Sequence, residues 1–214
     1  MKSVLISIQP KWCELIASGK KTVEVRKTKP KLETPFKVYI YATEPKHKKD
    51  FGLCLDDGKV GLIYRWNYDY ARRNKMPILS GKVIGEFVCH RIDTIGKRGV
   101  DNNFDYCYLS LNQFGNDDIE IEITDIKKSR ISKAELNAYG FNSRYLYAWH
   151  ISDLVIYDKP KELREFITPT NCNSIIAKKM MCNTCCLSAE FCSKKPKRIT
   201  RPPQSWCYVE EVGR

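Results

Sequence analysis

The chain has 214 residues, which suits one medium-sized domain or one domain with a small appendage. Hydrophobic residues make up 43% and charged residues 29%, a globular composition that excludes wholesale disorder. Its apolar runs are far shorter than the ~20 residues that cross a bilayer, and no secretion signal precedes the first strand-like run. We therefore expect a soluble cytoplasmic protein that has no membrane partner.

The net charge gives the first indication of a partner. Thirty-seven Lys and Arg residues against 25 Asp and Glu residues leave a formal charge of +12 at pH 7. A positive excess of this size favours polyanions, and a nucleic acid is the first partner to expect from charge alone.

The first elements are marked by strong local signals. The β-branched run 3–8 predicts a strand, and Pro10 then stands where the first turn of a helix tolerates proline. Apolar residues at i, i+3 and i+4 from Trp12 predict that helix, and Gly19 is placed to end it.

The remaining elements predict the fold class. Further strands are expected at 22–26, 36–42, 81–92 and 144–151, and alternating isoleucines over 119–123 predict an edge strand. Ser132 and Glu135 form a capping-box pattern that opens a short helix to about Tyr139. Because the strands are separated by single short helices without regular alternation, we expect an α+β fold with a small mixed β-barrel and short helices.

A stretch of about forty residues at 43–80 is too long for a plain loop and predicts a helical insertion. Leu62, Trp66 and Tyr70 are spaced four apart, which predicts a helix over about 60–74. The segment 64–75 also interleaves aromatic and basic residues, a pattern typical of single-stranded nucleic acid binding. A helix that packs its aromatics and leaves its arginines in solvent fits the same pattern equally well.

The segment that carries a family resemblance lies near the N-terminus. It reads SIQPKW at 7–12, then GKKT at 19–22, followed by Glu24 and Arg26 on the next strand. This strand, proline-capped helix, glycine stop and Lys-x-x-Glu-x-Arg strand resembles the ASCH domain of the PUA-like superfamily. The resemblance continues at 38–41 and 83–87 and in the strand through Trp149 and Ile151, and it covers about residues 1–167.

The resemblance implies a PUA-like barrel whose basic cleft is lined by the GKKT turn and the strand after it. Family members are described as RNA-binding or coactivator-associated modules. One bacterial branch consists of amidohydrolases that remove the acetyl group from acetylcytidine, using a lysine after the glycine turn, a threonine three residues later and a distant glutamate. Lys21 matches that lysine, whereas Glu24 stands where the threonine is expected.

The residue chemistry of this strand leaves two interpretations open. In a regular strand Thr22, Glu24 and Arg26 share one face, with the last two about 7 Å apart, and Lys21 at the turn can lean over that face. Such a group can tune an acid or base or recognise a polar ligand, and it can equally be an exposed ion pair of little consequence. The catalytic candidates are Lys21 and Glu24. The nucleic-acid-binding candidates are Gln9, Lys20, Lys21, Thr22, Arg26, Arg72 and Arg73.

Cysteines are concentrated in the last part of the chain, which predicts a cysteine-rich extension over 168–214. Without a secretion signal, such a cluster favours metal over disulfides. The C-x-x-C pair suits tetrahedral zinc, and a closed four-thiolate site would hold structural Zn²⁺. The predicted ligands are Cys182, Cys185, Cys192 and Cys207, with Cys172 and Cys186 as substitutes. An iron–sulfur cluster and unligated thiols remain alternatives.

Three classes of function follow from the sequence. The first is an RNA- or nucleoside-binding module, favoured by the charge and by the resemblance. The second is a hydrolase, either a nucleoside amidohydrolase or a ribonuclease, that uses Lys21 and Glu24. The third is an adaptor that binds a protein partner through the zinc tail.

Overall fold

The structure is a computed structural model that describes residues 2–100, 103–108, 124–169, 181–182, 187–188 and 196–211. The strands are β1 (Ser3–Ile8), β2 (Val23–Arg26), β3 (Phe36–Ala42), β4 (Phe51–Asp56), β5 (Lys59–Tyr64), β6 (Val83–Val100), β7 (Asn103–Tyr108), β8 (Tyr145–Lys161), β9 (Phe166–Ile167), β10 (Met181–Cys182), β11 (Leu187–Ser188) and β12 (Trp206–Glu211). The helices are α1 (Pro10–Ala17), α2 (Tyr68–Arg73), α3 (Thr124–Ser129) and α4 (Lys133–Gly140), with 3₁₀ turns at Arg65–Asn67 and Leu163–Glu165.

One large sheet organises the molecule. Eight strands pair in the order β2-β8-β6-β3-β1-β12-β9, with β7 attached to β6. All of these pairings are antiparallel except β1 with β3, where Val4 lies opposite Val38. The predicted α+β class is confirmed, and the described pairings leave the sheet open between β2 and β9.

Apolar clusters lie on both faces of the sheet. On one face, α1 buries Cys13 and Ile16 in the main core together with Trp149. On the other face, Val23 and Val25 of β2 pack with Leu136 of α4. Strand β2 therefore has a buried residue at every position, including its two charged residues.

Several predicted elements are confirmed and others need correction. The strands at 3–8 and 36–42, the proline-started helix and the Ser132 capping box all occur as predicted. The strands predicted at 81–92 and 144–151 continue to Val100 and Lys161. The predicted edge strand at 119–123 lies outside the described residues.

The predicted helix over 60–74 is wrong in its first half, because residues up to Tyr64 belong to the β4–β5 hairpin. Asp57 and Gly58 form its two-residue turn, with φ angles of 45° and 72°. An Asp-Gly pair between two apolar runs is a strong hairpin signal, because both positions of such a turn need positive φ. Helix α2 covers only Tyr68–Arg73.

The C-terminal strand belongs to the main sheet. In β12, Cys207 lies opposite Leu5 of β1, and Glu210 lies opposite Ile167 of β9. The boundary predicted at 168 therefore does not separate this strand from the domain. Of the helices in the described residues, none is long and apolar enough to cross a membrane.

Candidate functional site

The turn after α1 delivers Lys21 to the sheet. Gly19 adopts a φ of +70°, and the backbone N–H of Lys21 donates to the carbonyl of Leu15 at 2.9 Å. A left-handed residue at this position lets the chain leave the helix without strain, which is why glycine suits it. Strand β2 then pairs with β8, which places Glu24 opposite Trp149.

Lys21, Glu24 and Arg26 converge into one ion triad, defined here as the buried triad. The Nζ of Lys21 lies 3.3 Å from one carboxylate oxygen of Glu24, and an Nη of Arg26 lies 2.9 Å from the other. Their side chains are 0%, 7% and 10% exposed, respectively. Two cations thus share a single carboxylate away from water.

Backbone carbonyls complete the coordination of both cations. Lys21 donates to the carbonyl of Ser129 at 2.6 Å, and Arg26 donates to the carbonyl of Ser7 at 2.7 Å. Among the residues that the structure describes, the buried Nε of Arg26 has no hydrogen-bond partner. The triad therefore ties α1, β1, β2 and the end of α3 together.

Burial lowers the pKa of Lys21 below its ordinary value of 10.5. The carboxylate of Glu24 opposes this shift by attraction and by a hydrogen bond, and the charge of Arg26 adds to it. The indole of Trp12 lies 5.0 Å from the Lys21 Nζ, which excludes water from one side of the ammonium.

The structure places the predicted site residues in two different environments. Lys21, Glu24 and Arg26 come together as predicted, but their burial removes them from any open cleft. Gln9, Lys20 and Thr22 are exposed. The carbonyl of Gln9 begins the hydrogen bonding of α1, and the carbonyl of Lys20 accepts from Arg130. The exposed residues Gln9, Lys20 and Thr22 are therefore separate from the buried triad.

A groove opens at the insertion instead. It has a volume of about 380 Å³ and shares the lining residues Glu44, Tyr68 and Arg72 with a second hollow of about 470 Å³. We call the two together the insertion groove. The cations along it are Lys48, Arg65, Arg72, Lys75 and Lys82. The acids along it are Glu44 and Asp69.

Of the two arginines predicted in the insertion, Arg72 lines this groove and Arg73 is exposed on the same helix. Arg72 forms an ion pair with Asp69 at 3.0 Å, with side chains 67% and 84% exposed. Such an exposed pair is weak, so the guanidinium can exchange Asp69 for an anionic ligand.

Three stacked aromatic rings stand beside the groove, and we call them the aromatic ladder. Phe51 and Tyr64 have ring centroids 4.1 Å apart at 27°, and Tyr64 and Trp66 have centroids 4.2 Å apart at 14°. Phe51 was not among the predicted site residues, because it reaches the stack only through its cross-strand pairing with Tyr64, 13 residues further along the chain.

A second polar cluster lies on β6 and β8. The Nε2 of His150 is 2.6 Å from a carboxylate oxygen of Asp93, and the Arg91 Nε is 3.0 Å from the same oxygen. His150 is opposite Val23, which places it on the other face of the sheet from Glu24. This cluster is therefore separate from the buried triad.

The four predicted zinc ligands are only partly described. Cys185 and Cys192 lie outside the described residues, and Cys182 is described only as part of β10. Cys207 packs against an apolar cluster, and burial raises the pKa of its thiol to about 11. Within the described part of the chain, no group of three or more His, Cys, Asp or Glu residues could hold a metal ion.

The fold and the triad define a mixed α+β protein with a large, mostly antiparallel sheet and a charged helix-to-strand turn. The family model of the ASCH domain matches residues 6–92, the part of the chain that contains this turn. The predicted resemblance is confirmed for that region. No curated protein shows significant sequence similarity to the chain.

Two solved structures illustrate the similarity. The crystal structure of an ASCH protein from Zymomonas mobilis is 17% identical, with a TM-score of 0.49 over 97% of this chain and 87% of that chain. A mutant of the same protein is 18% identical, with a TM-score of 0.48 over 98% of this chain and 91% of that chain.

Proposed function

We propose that the protein binds RNA and that the insertion groove is its phosphate-binding surface. The observation that carries this proposal is the row of five cations along the groove against two acids. ASCH domains are thought to bind RNA, and the chain has a net charge of +12. A sequence-independent attraction to phosphates needs accessible cations of this kind.

The buried triad is a poor phosphate site by comparison. Glu24 already neutralises one of its two cations, and Lys21 has no exposed surface. Phosphate contacts require exposed donors, so we assign the triad a structural part in the fold and the groove the contact with RNA.

The test is a salt titration of RNA binding. A labelled RNA oligonucleotide should bind at low salt, and the logarithm of its affinity should fall linearly with the logarithm of salt concentration. Five groove cations that release counterions from single-stranded RNA predict a slope of about −3 to −4.

Arg72→Ala should weaken binding and reduce the magnitude of that slope by about 0.7. The matched control is Lys133→Ala, which removes an exposed cation of α4 that is not among the residues lining the groove. Equal effects of both variants, or a flat salt response of the unmodified chain, would refute the proposal.

Hydrolysis of a modified nucleoside or of RNA is the second candidate. Burial lowers the pKa of Lys21, and a lysine with a lowered pKa can act as a base or nucleophile. Acetylcytidine and RNA should be assayed with the unmodified chain and with Lys21→Met. Turnover that Lys21→Met abolishes, with RNA affinity retained, would favour the enzyme, whereas absence of turnover would leave the RNA-binding function.

A further inference from the structure

We infer that the aromatic ladder is a stacking platform for an unpaired base of RNA, so that the insertion selects single strands over duplexes. This inference rests on the proposed RNA-binding function and names the form of RNA that the groove takes.

Aromatic stacks are usually buried, and this one is not. Trp66 is 54% exposed and Phe51 is 43% exposed, although Tyr64 lies against one face of each ring. The exposed area of Trp66 must therefore come from its other face and its edges. Phe51 and Trp66 are joined through Tyr64 into one exposed apolar patch, and contiguous patches of this kind mark binding surfaces.

The backbone holds Trp66 in place. Its N–H donates to the carbonyl of Lys48 at 3.2 Å, and the N–H of Arg65 donates to the carbonyl of Asp50 at 3.0 Å. The Nη1 of Arg65 also donates to the carbonyl of Lys46 at 3.0 Å. These bonds fix the 3₁₀ turn against the preceding loop, and stacking on Tyr64 restrains the indole, so little freedom is lost on binding.

The charges around the ladder decide between possible occupants. Trp66 borders the groove together with Lys48, Arg65 and Arg72. A base that continues the ladder beyond Trp66 would leave its phosphates among these cations, which is how single-strand binding surfaces combine stacking with charge. A second copy of the chain would bring another +12 charge to the same place and is disfavoured.

Duplex RNA cannot use this platform, because its bases are already stacked and paired. The cations of the groove contact phosphates of either form, so the ladder adds affinity for unpaired nucleotides alone. The platform therefore predicts selectivity without predicting which base is preferred, since every base has a face that can stack.

The experiment compares two exposed aromatics of the same insertion. Trp66→Ala removes the outer ring of the ladder, and Tyr70→Ala removes a ring that is 56% exposed and is not among the groove residues or the stacked rings. Fluorescence anisotropy on the full chain at low salt should measure affinity for a labelled single-stranded RNA and for a duplex of the same length.

Trp66→Ala should weaken single-strand binding about tenfold, which corresponds to one lost base–aromatic stack, and should change duplex binding less than about twofold. Trp66→Phe keeps a stacking face and should stay within about threefold of the unmodified chain. The salt slope should not change in either variant, because no phosphate contact is removed.

Equal losses for Trp66→Ala and Tyr70→Ala, or equal losses for single-stranded and duplex RNA, would overturn the stacking platform while leaving the phosphate-binding groove intact. Absence of binding to both RNAs by the unmodified chain would overturn the proposed function and the platform together. Binding that reaches the unmodified level in Trp66→Ala would overturn the platform alone, even if that variant is less stable to heat.

Discussion

The most informative perturbation of the fold is Lys21→Met, which removes one cation of the buried triad and keeps most of the volume of the side chain. Glu24, 7% exposed, would keep its ion pair with Arg26 and lose the one with Lys21. The carbonyl of Ser129 would lose the donor that lies 2.6 Å away. Both losses act on groups that water cannot reach.

The size of the effect follows from the general cost of breaking a buried ion pair by removing one partner, about 3–5 kcal/mol. Arg26 still compensates the carboxylate, so we expect the lower end, about 3 kcal/mol of the free energy of unfolding. With a urea m-value of about 2 kcal/mol per molar, the unfolding midpoint should fall by about 1.5 M.

The matched control is the exposed pair between Lys11 and Glu135. Its atoms are 3.0 Å apart, closer than Lys21 and Glu24, but the side chains are 56% and 45% exposed. Lys11→Met should cost at most about 0.5 kcal/mol, because water screens this pair. Urea unfolding followed by tryptophan fluorescence would measure both variants. A midpoint shift for Lys21→Met no larger than that for Lys11→Met would refute the assignment of a buried, stabilising triad.

Three further predictions concern pH, thiols and metal. The pKa of Lys21 is lowered in the fold, so the unfolded chain binds more protons than the folded chain between that pKa and 10.5. The unmodified chain should therefore gain stability relative to Lys21→Met as the pH rises, which urea midpoints at pH 7 and pH 10 would measure. A smaller stability difference between the two chains at pH 10 would contradict this. Burial raises the pKa of the Cys13 and Cys89 thiols, to about 12 for Cys89, so peptide mapping after alkylation at pH 8 should find both unlabelled in the folded chain and labelled in urea. The protein purified under reducing conditions should carry about one zinc ion per chain. The Cys185→Ser variant should lose this zinc, whereas the control variant Cys13→Ser should keep it. Elemental analysis that finds no zinc in the unmodified chain would refute the zinc site.

Local signals made the N-terminal part of the fold predictable from the sequence. Pro10 and Gly19 mark the ends of α1 through their own backbone preferences, and the Ser132 capping box has both of its hydrogen bonds. These signals act within a few residues. They can therefore be recognised in the sequence without any knowledge of the tertiary structure.

The environment of Lys21 could not be predicted in the same way. The spacing of Glu24 and Arg26 indicated that the charges share a strand face, which the structure bears out. Whether that face is exposed depends on Ser129, which is 108 residues away from Lys21 and supplies its carbonyl partner. The sequence predicted the apolar stripe of α1 and the charged face of β2, but not the contact between Lys21 and Ser129 that closes over that face.

The aromatic ladder shows a different limit. The helical spacing of Leu62, Trp66 and Tyr70 suggested one face of a helix, but period alone does not separate a helix from a hairpin followed by a short turn. Phe51 joins the stack only because the Asp-Gly turn sets the register that places it opposite Tyr64. In this segment the Asp57-Gly58 turn is a stronger structural signal than the four-residue spacing, because its positive φ angles specify a hairpin.

Helix α1 connects the buried triad with the β4–β5 hairpin of the insertion. A loss of RNA binding in Lys21→Met therefore has two explanations, which the salt slope distinguishes. The helix packs on the β4–β5 hairpin, and its C-terminal turn leads into the buried triad. A direct phosphate contact by Lys21 would make its removal reduce the magnitude of the salt slope by about 0.7, as for Arg72. An effect transmitted through α1 would displace the groove and lower the affinity at an unchanged slope. We expect the unchanged slope, because a side chain with no exposed surface cannot contact a phosphate and therefore releases no counterion from the RNA.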